Sequence, residues 1–401
     1  MRILYLYQFP LYGNGSGSSL RNIAGIVAKE HKVAILAPDE RKLPRIKGYT
    51  AIPSQIPVFV GHPELKKSKK FSELNPQEIS DLYSYYYQRV IEAVSEFKPN
   101  FIDVQHAHFL TWVARDICAI YNIPFSVYVH GSDLHAIELD KRYHALTRDA
   151  LKWAKRIIVN SGYTREWLLK LFPNEFDSKR KIRTIAPGGV NIDNFPEFIS
   201  LKHINSKYNL NGKNVVLFTG RLTSQKGTKY LIKAAHRIKG EVVILGDGPE
   251  QDNLKQLVAQ RKLTNVHLLG YVGNEHRREL KEWYYRADVL VAPSVWDEPL
   301  GLSIIESMAA KTPVVATRKG GIPSAIKDNY NGILVRSRNS NQIADAVNKI
   351  LLNPELGLKM GERARETVKQ KFTREIIARK FVNMYEKFSY TWPNKNNGRK
   401  K

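Results

Sequence analysis

The sequence predicts an α/β protein with two doubly wound parallel sheets, one in each of two domains. Three observations carry that prediction. Short runs rich in Val, Ile and Leu alternate with segments that place apolar residues at three- and four-residue steps. The short runs are apolar at nearly every position, as strands covered on both faces must be. A chain of 401 residues also exceeds what one ordinary core organises.

The strands follow in order. RILYLY, KVAILAP, FIDVQH, PFSVYVHG and RIIVNS lie in the first half; NVVLFTG, EVVILGDG, NVHLLGYV, DVLVAPS, TPVVAT and NGILV lie in the second. Helical segments such as SLRNIAGIVAKEH, LKQLVAQRKL and NQIADAVNKILL separate them. Right-handed crossovers make such an alternation doubly wound. The stretch FPEFISLKHINSKYNLNGKN, from Phe195 to Asn214, breaks the rhythm and puts the boundary between residues 1–195 and 196–375. Ligands of open α/β sheets bind at the carboxyl ends of the strands, so two facing domains predict a central cleft.

Composition narrows the class. Hydrophobic residues make up 43% and charged residues 25%, a globular balance. One cysteine, Cys118, leaves no disulfide framework and fits a reducing, cytoplasmic compartment. The N-terminus MRILYLYQFPLYG has too short an apolar run for a secretory signal and reads as a first strand. No run approaches the roughly 18 uncharged apolar residues of a membrane span.

The net charge of +25 calls for a partner. Residues 1–190 hold 27 Lys and Arg against 18 Asp and Glu, and residues 191–401 hold 36 against 20, so the excess is spread over both halves. Nucleic acid, an anionic membrane surface and an anionic small substrate all fit. The densest cluster, Lys66-Lys67-Ser68-Lys69-Lys70-Phe71, sets cations beside an aromatic as a membrane interface does, and a solvated loop is the alternative; the tail Lys395 to Lys401 is a second cluster.

The residues with chemical promise fall just after strands. Tyr12-Gly13-Asn14-Gly15-Ser16-Gly17-Ser18-Ser19 precedes a helix, where Gly15 and Gly17 would let backbone N–H groups approach an anion; an ordinary βα turn reads the same way. It is not a dinucleotide fingerprint. His130-Gly131-Ser132-Asp133 puts a histidine at a strand end, with Asp133 either facing the cleft or capping the next helix. His106 and His108 would share one face of a strand, but no third metal ligand stands at a suitable spacing. Gly220-Arg221-Leu222-Thr223-Ser224-Gln225-Lys226-Gly227 brings two cations to one strand end before a helix, a diphosphate clamp by charge. Gly246 opens a tight turn, and Gly270-Tyr271-Val272 could offer backbone polar groups to a flat base. The stretch Tyr83, Tyr85, Tyr86, Tyr87 reads as core or as an acceptor wall.

EPLGLSIIE, Glu298 to Glu306, carries an acid at each end. Pro299 and Gly301 suggest a turn before a buried helix. Eight helical steps would separate the backbones by about 12 Å. Glycosidase acid pairs stand ~5 to ~9.5 Å apart, so this pair suits two grips on one extended ligand. Glu306 would hold a ribose diol and Glu298 sugar hydroxyls, while the N–H groups of Leu300, Gly301, Leu302 and Ser303 favour negative charge between them.

GRLTSQKG, GDGP, HGSD and the E-x7-E element in PSVWDEPLGLSIIE together resemble the family 4 glycosyltransferases, retaining enzymes of the GT-B fold with two Rossmann-like domains. The resemblance covers almost the whole chain. APGGVNIDNF also matches, with Asn191 where Asp is usual, and Leu300 stands where the family commonly has an aromatic. The resemblance implies transfer of a sugar from a UDP- or GDP-sugar with the anomeric configuration kept and no divalent metal or other cofactor. It implies that Arg221 and Lys226 stabilise the departing diphosphate, Glu306 binds ribose, Glu298 binds the donor sugar and His130 contacts it. It assigns the Gly15 to Ser19 loop to phosphate or acceptor, and implies that the last helix, in 376–401, returns to the first domain. With the charge, it suggests a lipid-linked or envelope-glycan acceptor and peripheral attachment to the inner face of the plasma membrane.

Rivals stay on the page. A soluble enzyme acting on a small-molecule or polysaccharide acceptor uses the same donor site. A basic nucleic-acid-binding protein explains the charge but not two acids that would repel phosphate, so no nucleic acid partner is expected. A sugar phosphorylase would need a pyridoxal lysine context and an oxidoreductase a dinucleotide fingerprint; neither is found.

Overall fold

The computed structural model describes residues 1–59, 65, 67–187, 189–272, 277–298, 300–388 and 390–392. By contact the chain forms two units, Met1–Gly188 with Arg374–Lys401, and Gly189–Thr373.

Among the described residues the first unit is built on seven strands: β1 (Arg2–Leu6), β2 (Lys32–Ala37), β3 (Ile46–Thr50), β4 (Phe101–Gln105), β5 (Phe125–Val129), β6 (Arg156–Val159) and β7 (Ile182–Thr184). Their order is β3-β2-β1-β4-β5-β6-β7 and every pairing is parallel. The second unit carries β8 (Val215–Thr219), β9 (Glu241–Leu245), β10 (Val266–Gly270), β11 (Val289–Ala292), β12 (Val314–Thr317) and β13 (Ile333–Val335). It repeats the plan as β10-β9-β8-β11-β12-β13, again all parallel.

Burial explains why the apolar runs became strands. All five residues of β4 and of β5 are buried, because helices cover both faces of the sheet. Edge strand β3 has one neighbour and stays partly exposed, at Lys47 and Gly48. In each sheet the order reverses between the first and fourth strands of the unit, and crossovers leave in opposite directions there. The loops after β1 and β4, and those after β8 and β11, meet at the strands' carboxyl ends, with Ser16 Oγ 3.3 Å from His106 Nε2 and Val295 N donating to Gln225 O at 2.9 Å.

Helix Pro76–Phe97 shows the local logic. Asn75 accepts from Glu78 N at 2.9 Å while Glu78 accepts from Asn75 N at 2.9 Å, and Pro76 opens the first turn. Leu82, Tyr86, Val90, Ala93, Val94 and Phe97 face the core. Of the tyrosine cluster, Tyr86 is thus core, while Tyr83 and Tyr87 pack on its edge.

Helix Arg374–Phe388 belongs to the first unit, where Ile377, Ala378, Phe381 and Tyr385 join the core. Residues 189–195 belong to the second: Val190 N donates to Phe372 O at 3.0 Å and the Arg365 guanidinium to Phe195 O at 2.6 Å. Among the described residues no helix is long and apolar enough to cross a membrane.

Candidate active site

In the second unit the chain leaves β8 through Gly220 and Arg221 and makes a 3-10 turn, Ser224–Lys226. Two glycines let this loop sit where it does. Gly227 has φ of 67°, and a Cβ there would overlap the carbonyl oxygen of Pro293. The loop therefore lies on the end of β11, and Val295 N and Trp296 N donate to Gln225 O at 2.9 and 3.3 Å. Gly246 has φ of 139°, and its Cβ would overlap the carbonyl of Gly220. Leu222 N donates to Asp247 O at 2.6 Å, so the GDG turn is a backbone prop beneath the Arg221 loop.

This packing sets Lys226 beside Glu298. The ammonium pairs with Oε1 of Glu298, and Ser294 Oγ donates to Oε2 at 2.7 Å. Burial alone would raise the carboxyl's pKa; the Lys226 charge, its hydrogen bond and that of Ser294 outweigh burial and hold it below the usual range. A Cβ on Gly301 would stand 3.2 Å from Oε1, so the carboxylate lies against the N-terminus of helix Leu302–Ala309. Glu306 sits more than one turn inside that helix, and its Oε2 accepts from the Tyr284 hydroxyl at 2.7 Å. Burial, then the Glu306 charge, drives the Tyr284 pKa far above its ordinary value, so the phenol remains a donor. A further brace comes from the loop after β12: Gly321 N donates to Glu298 O at 2.6 Å, while Lys319 Nζ and Gly320 N reach Asp297 at 3.1 and 3.0 Å. Arg221 is exposed on its loop, and Val272 follows β10 half-buried.

In the first unit, the loop after β1 folds onto itself. Asn14 Oδ1 accepts from Gly17 N at 2.6 Å and from the Tyr7 hydroxyl at 2.7 Å. Ser16 Oγ lies 2.9 Å from the same hydroxyl and 3.3 Å from His106 Nε2. His130 follows β5, its Nε2 3.0 Å from Gln105 Oε1 and its ring 4.4 Å from that of His106. Burial, then the neighbouring His106, lowers the His130 pKa well below its ordinary value against the pull of Asp133, so the imidazole is neutral at pH 7.

Comparison with known proteins decides the family. A model described as "Glycosyl transferases group 1" matches residues 202–367, and one described as "Glycosyltransferase Family 4" matches residues 13–193. The chain is 31% identical over 300 residues to an uncharacterized glycosyltransferase of Methanocaldococcus jannaschii, an alignment spanning 71% of this chain and 75% of that one. The chain belongs to the family 4 glycosyltransferases. This glycosyltransferase is also 27% identical over 278 residues to the alpha-D-kanosaminyltransferase of Streptomyces kanamyceticus, spanning 66% of this chain and 71% of that one. Among solved structures, Anabaena HepE in complex with UDP superposes with a TM-score of 0.71 at 17% identity, covering 96% of this chain and 100% of that one. Sucrose-phosphate synthase of Thermosynechococcus elongatus superposes with a TM-score of 0.76 at 22% identity, covering 96% and 98%. The fold is GT-B, with two Rossmann-like units.

The glycosyltransferase brings Lys226, Glu298 and Gly301 together in its second unit, with Leu300 buried and with Leu302 and Glu306 on the helix that follows. Pro299 lies outside the described residues. Several expected ligand residues have other tasks. Asp133 is fully buried, and its oxygens accept from Ala107 N at 2.8 Å, Gly131 N at 2.7 Å and Leu134 N at 3.0 Å, so it ties the loops after β4 and β5 together. Gly17 is a packing glycine whose Cβ would overlap Leu11 O, and its N–H serves the Asn14 cap; Gly15 stands in open space. Gly246 supports the Arg221 loop by close approach.

His106 and His108 do not share a strand face, because β4 ends at Gln105 and His106 takes φ of 74°. His108 sits inside an aromatic box of Phe59, Phe71, Phe109, Trp112 and Tyr143. Among the described residues, no group of three His, Cys, Asp or Glu is placed to hold a metal ion. The basic cluster also differs from expectation. Phe71 is buried, and Lys69 pairs with Glu78 at 2.6 Å, so this pair of residues presents no cation–aromatic surface. Lys66 and the tail Lys395 to Lys401 lie outside the described residues.

Sequence reading missed Ser294, Tyr284 and Gln105. A hydroxyl at the end of a buried strand was a signal for Ser294, four residues before Glu298. Nothing local distinguished Tyr284, which meets Glu306 only through packing.

Proposed function

We propose that this enzyme transfers a sugar from a nucleoside diphosphate sugar to an acceptor, with retention of anomeric configuration and without a divalent metal. The observation that carries the reading is the Lys226–Glu298 pair at the N-terminus of helix Leu302–Ala309: a cation for phosphate and an acid for hydroxyls side by side. Arg221 and Lys226 would neutralise the charge that develops on the leaving diphosphate, the task a metal ion performs elsewhere. The N–H groups of Leu300 to Leu302 add to that field. Glu306, steadied by Tyr284, would bind the ribose diol, the backbone near Val272 the base, and Glu298 the donor sugar. HepE was solved with UDP and with UDP-glucose, which supports a uridine nucleotide as the first donor to try, with GDP-sugars next.

A lipid-linked acceptor at the cytoplasmic face of the membrane is supported by charge. In the first unit Arg21, Lys29 and Arg45 line a groove of about 370 Å³ with Leu43, Pro44 and Ile46, a mixture that suits an anionic amphiphile. Co-sedimentation with anionic liposomes at low salt is expected; protein that stays in the supernatant would point to a water-soluble acceptor.

The donor reading is tested by a thermal-shift screen of UDP, GDP and their sugar esters, since a bound ligand raises the melting temperature. Lys226→Ala or Glu306→Ala should abolish the shift. No shift with any nucleotide, or an unchanged shift in both variants, would overturn the reading.

A further inference from the structure

Glu298 is gripped from two sides by partners of opposite character. Lys226 holds Oε1 from a four-carbon stem, and its side chain is 35% exposed. Ser294 holds Oε2 with one short bond and is 2% exposed. Its backbone is fixed as well: the Ser294 carbonyl accepts from Thr317 Oγ1 at 2.7 Å and from Ser337 Oγ at 3.3 Å, and the preceding carbonyl, of Pro293, lies against Gly227. One grip reaches water and the other is anchored at the end of β11.

We infer that Ser294 is a positioning residue for the donor sugar, retaining Glu298 while Lys226 exchanges that carboxylate for the donor's diphosphate. The inference rests on the donor reading proposed above.

A diphosphate carries more negative charge than a carboxylate and draws the ammonium more strongly. The lysine stem follows at small cost because its end reaches water. Glu298 then loses a cation on Oε1 at the moment a sugar hydroxyl needs that oxygen. Without a second anchor the side chain would be free to turn. With Ser294 on Oε2 its rotamer is kept, and Oε1 passes from ammonium to hydroxyl. A rigid donor on a strand end performs this with little ordering cost. The consequence is specific: Ser294 contributes to binding of the sugar but not of the bare nucleotide.

The test is titration calorimetry of the full chain with UDP and UDP-glucose, and with GDP and GDP-mannose, in wild type, Ser294→Ala and Ser294→Thr. The ratio of the two dissociation constants within the better-binding pair is the readout. Ser294→Ala should bind the bare nucleotide within about twofold of wild type, while the advantage of the sugar ester drops about tenfold, as loss of one charge-assisted hydrogen bond implies. Ser294→Thr should restore the advantage. An unchanged ratio in Ser294→Ala overturns the inference and leaves the donor reading standing. Equal loss for nucleotide and sugar ester, without rescue by threonine, assigns Ser294 a structural role and also overturns it. A wild type that binds none of the four overturns the donor reading and this inference with it.

Discussion

Tyr385 of the last helix donates its hydroxyl to Oδ2 of Asp103, in the middle of the first unit's central sheet, at 3.0 Å. Asp103 also accepts from Ser126 Oγ at 2.8 Å and Gln105 Nε2 at 2.5 Å, and the Tyr5 hydroxyl lies 3.2 Å from that of Tyr385. Residues more than 280 positions apart are thereby joined through one buried carboxyl. Burial raises its pKa to about 7 in spite of its three donors.

That shift predicts a pH dependence of stability. An acid whose pKa is raised on folding contributes stability that is complete below pH about 4 and is lost as pH rises through about 7. Asp103→Asn keeps an acceptor for Tyr385 but cannot ionise. The wild type's melting temperature relative to Asp103→Asn should therefore fall from pH 4 to pH 8, by the equivalent of at most about 4 kcal/mol. A difference that is flat across that range would show that Asp103 does not titrate there.

Lys226→Met removes the cation that holds the Glu298 pKa down. A carboxylate with a depressed pKa stabilises the fold above the ordinary carboxylate range and loses that contribution as pH falls through its folded pKa. The variant should be less stable at pH 7 by about 1–2 kcal/mol, a figure kept low because water reaches Lys226, and the deficit should shrink toward pH 4. Denaturant titrations at the two pH values measure it.

Gly246→Ala should destabilise the second unit by roughly 3 kcal/mol or more, because the methyl group meets the Gly220 carbonyl at a φ that side chains avoid. Gly15→Ala, where nothing stands within 4 Å, should be close to neutral. Comparable losses in both variants would contradict the packing described for the Arg221 loop.

Tyr284→Phe deletes one hydroxyl from the Glu306 carboxylate and leaves the ring in the core. Affinity for the nucleotide should fall about tenfold, with the melting temperature lowered by only a few degrees. Calorimetry with UDP or GDP measures the first and scanning calorimetry the second. Unaltered affinity would remove Tyr284 from the proposed donor site.

The sequence by itself determined the buried strands, the helices between them and the chemical inventory of the proposed donor site, but not the partly exposed edge strands β3 and β7, which lack a continuous apolar run. Runs such as KVAILAP and EVVILGDG are legible because a strand buried on both faces must be apolar at consecutive positions. GRLTSQKG and the E-x7-E element are legible because cations and acids gathered just after strands suit an anionic, hydroxyl-bearing ligand and, as a set, match the family's pattern. Tertiary structure decided how those residues are used. Asp133 next to a strand end reads equally as ligand or cap until Ala107 N arrives from another loop. Gly246 reads as a ligand glycine until the Gly220 carbonyl is found against it. Tyr284 and Asp103 acquire their roles from partners on other elements, 22 and 282 positions away, and Ser294 from Glu298 four positions on, once the loop they share is folded. Periodicity and composition are properties of neighbours along the chain, whereas a hydrogen bond or a close approach depends on which segments the crossovers bring side by side.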